Sequence, residues 1–170
     1  CFVLLAVLTL GYANYVLTPK HDYGICAMAN LYRQPDDSID VLAVGTSLLY
    51  AGVNTNILWD EYGIAAYDLC SAEQPFWISY YVIREALKTQ HPQVILLDEL
   101  GDLTEVAALE QGFFSGVEFV ASVHAATLED ALQRPQVRVL QQQGALRFLV
   151  LLEGRCAPGR IREIRQLPLL

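Results

Sequence analysis

Short apolar runs that end in turn-forming residues organise the first hundred residues of the chain. Each run has the length and continuous apolar character of a strand buried on both faces of a sheet, and the three runs are Val41–Val44, Ile64–Leu69 and Gln93–Asp98. A helix from Phe76 to about Gln90 is predicted before the third run, because its apolar residues recur at helical spacing. Strands that alternate with helices predict right-handed crossovers and a parallel sheet. The predicted fold class is therefore a three-layer α/β/α sandwich with Val41–Val44 in its centre.

Two shorter helical pieces are predicted between the first and second strands. They cover Leu48–Gly52 and Asn54–Tyr62, and Gly63 comes next as the residue that ends the second piece. Before the longer helix, Ser71 and Gln74 have the spacing of a capping box, in which two side chains satisfy the first N–H groups of a helix.

The first apolar run ends in Gly45, Thr46 and Ser47, which predicts a strand, a tight turn and the start of a helix. Such a turn places Ser47 at the carboxyl edge of a central strand, where ligands bind in open α/β sheets. A hydroxyl at this edge can act as a nucleophile beside backbone N–H groups that stabilise an oxyanion. The alternative is that Ser47 only caps the following helix, because Gly-Thr-Ser after a strand is a common sequence.

The N-terminal residues 1–18 carry no charged side chain. Their length is close to that of a transmembrane helix, and Tyr12 and Tyr15 lie where interfacial aromatic residues would be expected. We predict the end of a membrane anchor here, and the alternative is a buried core helix. Residues 19–38 contain two prolines and a cluster of turn formers, which predicts a tether. Residues 39–110 then form the predicted α/β core.

The negative net charge of the chain excludes one class of binding partner. The net charge is -8, so no basic face is available to neutralise phosphates, and we exclude nucleic acid as a partner. The four cysteines are widely spaced and include no Cys-x-x-Cys pair, which argues against a zinc site or a redox dithiol. We predict no metal and no cofactor.

The stretch from Asp40 to Glu99 resembles the SGNH (GDSL-like) hydrolase superfamily. The likeness rests on the first block, DVLAVGTS, and on the later segment NTNILWDEYGIAAYDLCSAEQPFWISYYVIREALKTQHPQVILLDE. Within the superfamily, it is similar to the membrane-anchored branch of DltD-like and alginate O-acetyltransferase domains. This resemblance implies a flavodoxin-like fold and a domain held outside the cell membrane by a single-pass anchor.

The resemblance also implies roles for particular residues. Ser47 takes the position of the nucleophile, while Gly45 and Gln74 take those of the oxyanion-stabilising groups, although the family has a glycine near Gln74. The family places its catalytic base in an Asp-x-x-His motif near the carboxyl terminus, and this chain has no such motif. His124 is the candidate base on that side, although its surroundings do not reproduce the motif and an incidental histidine is the favoured interpretation. A serine without a base is a weak nucleophile.

Residues 111–170 differ in composition from the rest of the chain. They contain seven Arg and five acidic residues, for a balance of +2, whereas residues 1–110 contain four basic and fourteen acidic residues, for a balance of -10. One account of this atypical C-terminal segment, and the one we favour, is a frame-shifted or prematurely ended reading of a longer gene. The other is a true helical ending, with a helix over Gly144–Leu152 and a basic end near the membrane.

The resemblance implies two alternative functions. The first is an esterase or O-acyltransferase that acts on extracytoplasmic cell-wall or exopolysaccharide glycans, inactive in this form because its base is missing. The second is a noncatalytic, membrane-tethered SGNH-like module that binds an acylated glycan or a membrane-bound acyltransferase.

Overall fold

A four-stranded parallel sheet is built around β1 (Val41–Val44) in the computed structural model, which describes residues 2–18, 24–100, 106, 116–154 and 157–168. The strand order is β2-β1-β3-β4, and the other strands are β2 (Ala66–Asp68), β3 (Val94–Leu97) and β4 (Glu118–Ala121). Val41 lies opposite Ala66 on one side and Val94 on the other, and both pairings are parallel. The predicted α/β class and the central position of the first strand are therefore confirmed, while the three-layer arrangement stays a prediction.

The helices within the described residues follow local signals in the sequence. Asn54 starts one of them, because its side chain accepts hydrogen bonds from the N–H groups of Asn56 (3.0 Å) and Ile57 (3.3 Å). Gly63 ends the same helix in the left-handed conformation with φ 66°. The helices are α1 (Phe2–Leu17), α2 (Ile25–Leu31), α3 (Ser47–Gly52), α4 (Thr55–Tyr62), α5 (Phe76–Ala86), α6 (Leu128–Gln133) and α7 (Pro135–Gln142).

The main core forms where α2 and α5 pack on the parallel sheet. Leu42, Val44 and Ile95 are fully buried in the sheet. Ile83 of α5 joins them, together with Ala27 and Leu31 of α2. Residues 25–31 of the predicted tether are thus a packed helix whose side chains contribute to the core. Burial of this apolar surface is the main favourable contribution to folding.

Helix α1 carries no charged residue and has no buried residue. Among the residues that the structure describes, no helix is both long enough and apolar enough to cross a membrane. The described helix α1 has 16 residues and rises about 24 Å, whereas the hydrocarbon core of a bilayer is about 30 Å thick. The finding that no described helix is long and apolar enough to span a membrane contradicts the prediction of a single-pass anchor over residues 1–18.

A separate antiparallel sheet consists of β5 (Phe148–Leu152) and β6 (Ile161–Gln166). The predicted helix over Gly144–Leu152 is therefore wrong. Gly144 adopts a left-handed conformation with φ 68° at the end of α7, and the chain beyond it becomes extended. In β5 the more and the less exposed residues alternate, which is the period of a strand with one covered side.

Gln90 offers a test of how the loop before β1 is held. Its buried side chain donates from Nε2 to the Pro35 carbonyl (2.8 Å) and accepts from the Ser38 N–H (3.0 Å). We expect Gln90→Ala to lower the free energy of unfolding by about 2–4 kcal/mol, because it leaves two backbone groups without partners and opens a cavity. Urea denaturation measures this loss. In the control, Gln93→Ala removes an exposed side chain and should change stability by less than about 0.5 kcal/mol; equal losses would contradict the role of Gln90.

Candidate functional site

The carboxyl edge of the parallel sheet brings together several of the residues that the sequence singles out. Gly45 and Ser47 follow β1, Asp98 follows β3, and His124 follows β4. Ligands bind at this edge in open α/β folds. The edge is therefore where the predicted chemistry has to be tested against the geometry.

Asp98 fixes the turn that leaves β1. Its Oδ2 accepts a hydrogen bond from the Thr46 backbone N–H at 2.6 Å, and it accepts a second one from the Thr46 hydroxyl. Gly45 lies so close that a Cβ added there would be 2.6 Å from Asp98 Oδ1. The sequence pattern identified Asp98 only as an acid at a strand end. Its role in the structure is to hold the neighbouring turn.

Ser47 is the first residue of α3 and is exposed. The cap of this helix is Thr46, whose hydroxyl accepts a hydrogen bond from the Leu48 N–H at 3.3 Å, so the interpretation of Ser47 as the cap is wrong. Within residues 24–100 and 116–154, no hydrogen bond connects Ser47 to a histidine. The catalytic role of Ser47 stays a prediction.

His124 and Gln74, the other candidates, have different surroundings. The His124 side chain is 88% exposed, and its Nε2 lies 3.9 Å from Glu99 Oε1. Gln74 is buried, donates from Nε2 to the Ser79 hydroxyl (3.0 Å), and accepts from the Ser71 hydroxyl (3.0 Å). The predicted capping box is replaced by this contact, since Pro75 is the residue before α5. The role of His124 as a base and the role of Gln74 as an oxyanion donor stay untested predictions.

Cys70 lies two residues beyond the end of β2 and is buried. Burial raises the pKa of its thiol, and the neighbouring Asp68 raises this pKa further. The thiol is therefore protonated at neutral pH. Because the thiolate is the reactive form of cysteine, Cys70 is an inert part of the core.

A cavity of about 1020 Å³ extends from this edge towards the antiparallel sheet. Its walls come from α3, β3, β4 and β5 and consist mostly of apolar side chains. Asp98, Ser122 and His124 are among its polar lining residues. The cavity is thus bounded on one side by the parallel sheet and on another by residues 148–152.

The outer side of the antiparallel sheet is apolar and open. Residues paired across two strands point to the same side of a sheet, and the pairs Val150–Ile164 and Leu152–Ile161 both expose their side chains. The inner side is covered, because Leu149 packs in a buried cluster with residues that include Leu128 of α6. We call the open side the apolar sheet face; its side chains are 48–58% exposed and belong to Phe148, Val150, Leu152, Ile161 and Ile164.

Comparison with known proteins identifies the second half of the chain. The model of the family "Sporulation stage III, protein AA" matches residues 80–167, which is just over half of the 170 residues. The chain belongs to this family. A member, the stage III sporulation protein AA of Bacillus subtilis (strain 168), is 28% identical over 79 residues, which are 46% of this chain and 25% of that protein. The matched segment thus covers about a quarter of this relative's length.

Membership of this family corrects the interpretation made from the sequence. The identification as an SGNH hydrolase is wrong, and so are the glycan esterase or O-acyltransferase function and its noncatalytic SGNH-like variant. The frame-shift account is wrong as well, because the family match extends from residue 80 across residue 110 to residue 167. The likeness rested on a strand, a glycine turn and a helix start, which unrelated parallel α/β proteins share.

Gly45 tests the turn at the sheet edge. Gly45→Ala should lower the free energy of unfolding by about 1–3 kcal/mol, because the new Cβ meets the Asp98 carboxylate and displaces it from Thr46. Chemical denaturation provides the measurement. The matched control is Gly52→Ala in α3, where a Cβ meets nothing within 4 Å, so stability should be unchanged or should rise by up to about 1 kcal/mol. A cost at Gly45 that persists in an Asp98→Ala background would show that the carboxylate is not the obstacle.

The raised pKa of Cys70 predicts a pH dependence of stability. Above pH about 8.5 the thiol ionises in the unfolded chain but stays protonated in the folded protein. The folded state then binds more protons, so the free energy of unfolding falls as the pH rises. We expect the free energy of unfolding to fall more steeply between about pH 8 and about pH 10 for the parent than for Cys70→Ala. Urea denaturation at each pH measures it. Parallel curves would contradict the prediction.

Proposed function

We propose that this protein acts in stage III of sporulation as an assembly module, which binds another protein through the apolar sheet face. The proposal is carried by one observation, the family match over residues 80–167. The matched segment contains α6, α7 and the antiparallel sheet with its open apolar face. The stage of action comes from the name of the family and of its relative in Bacillus subtilis.

The chemistry of the matched segment supports binding. Several charged side chains in this segment pair with each other, and these include Arg147 with Glu118 and Arg165 with both Glu129 (2.7 Å) and Glu163 (2.9 Å). The apolar sheet face lies between such pairs, and the exposed Arg162 lies beside it in β6. Contiguous apolar patches of this kind on soluble proteins mark interaction sites.

A graft in Bacillus subtilis tests the proposal. Residues 80–167 replace the corresponding segment of the stage III sporulation protein AA of strain 168, and heat-resistant spores are counted. We expect the graft to form spores, and we expect the graft with Val150→Asp and Ile164→Asp to fall towards the count of a deletion strain, because two charges enter the binding face. Protein levels are compared by immunoblot.

The matched control is Tyr81→Asp, which adds a charge at a side chain of α5 that is 60% exposed and outside the apolar sheet face. It should preserve spore formation. A graft that accumulates normally without forming spores would contradict the role in sporulation. Normal sporulation by the double variant would contradict the role of the apolar sheet face.

A further inference from the structure

We propose that the apolar sheet face binds the same face of a second copy of this chain, so that two antiparallel sheets pack face to face. The inference rests on the proposed function, since it names the occupant of the face that the proposed function uses. Face-to-face packing of sheets places them about 10 Å apart and interdigitates their side chains.

The first argument is the shape of the face. Val150 and Ile164 form its central cross-strand pair, with Leu152 and Ile161 next to them. A two-stranded sheet is marginally stable alone and needs packing on its sides. Here α6 and Leu167 cover only the inner side, and the outer side remains half exposed. A second sheet of the same width covers it.

The second argument is charge. Glu153 and Arg160, at the turn end of the two strands, lie 3.8 Å apart, and Arg147 at the other end pairs with Glu118. These ion pairs occupy the charged residues at the two ends of the strands, while the exposed Arg162 lies beside the face in β6. The chain as a whole has a charge of -8 and repels its copies, but residues 111–170 have a balance of +2. A second copy meets the least repulsion in this part of the molecule.

The third argument is area. Five large apolar side chains that are each about half exposed present on the order of 500 Å² per copy, so that a symmetric pair buries about 1,000 Å² in total. This is the lower limit for a specific interface. An interface of this size corresponds to a reversible, concentration-dependent dimer. A two-fold axis makes such a contact closed, so that the association stops at two copies.

Sedimentation equilibrium of the full chain over a range of concentrations tests the inference. We expect a monomer–dimer equilibrium for the parent and a Kd raised at least about tenfold by Val150→Asp or by Ile164→Asp. Val150→Thr, which keeps the size and the strand preference of the side chain, provides a milder second variant and should weaken the dimer in the same direction. The control is Ile57→Asp on α4, a residue that is exposed to the same extent as Val150, at 48%, and it should leave the Kd unchanged. Circular dichroism verifies that each variant is folded.

Three outcomes would overturn the inference. They are a parent that stays monomeric at all concentrations, a dimer that is insensitive to all three face variants, and a dimer that is lost with Leu8→Asp in α1 instead. The last outcome would assign the association to α1, whose side chains are also exposed. The sporulation graft separates the two proposals. Spores without self-association would leave the proposed function standing with another partner, and self-association without spores would contradict the proposed function alone.

Discussion

The carboxylate of Asp98 is the contact on which the carboxyl edge of the parallel sheet depends. It joins the end of β3 to the turn after β1, and it leaves no room for a side chain at Gly45. A charged acceptor on a backbone N–H is among the stronger hydrogen bonds in proteins. This contact determines the direction in which the chain leaves β1, and thereby the position of α3 at the edge. One of the two carboxylate oxygens of Asp98, Oδ2, is thereby engaged by Thr46.

The parallel sheet could be predicted because its strands are continuous apolar runs with clear ends. The short helices α3 and α4 were predicted for a similar reason, since Asn54 and Gly63 mark the limits of α4. The second half of the chain carried weaker signals. β4 has only four residues, and all of them are partly or largely exposed. The alternation of Phe148, Val150 and Leu152 was a readable strand signal, but an apolar run of this length is also compatible with a helix.

The candidate site was predicted only in its location. The turn after β1 does lie at the carboxyl edge, but two predicted details of the site depended on which neighbouring atom completes a hydrogen bond. Thr46 caps α3 in place of Ser47. Gln74, which precedes α5, forms hydrogen bonds with Ser71 and with Ser79. Such choices depend on the partners that a side chain meets in the folded protein, and for Thr46 these include Asp98, 52 residues away in sequence. Local propensity does not contain this information.

The register of the two sheets has a consequence for folding during synthesis. Val41 pairs with Val94 across more than fifty residues of chain, whereas β5 and β6 are joined by a short connection. The pairing of β1 with β3 therefore cannot form until β3 has left the ribosome. β5 follows about fifty residues later, and the synthesis of these residues takes roughly 3–10 s at about 5–20 residues per second. A short hairpin forms in microseconds once both strands are present. The apolar surface of β5 and β6 thus emerges beside a parallel core that has had seconds to form, which limits the time during which both are open to aggregation.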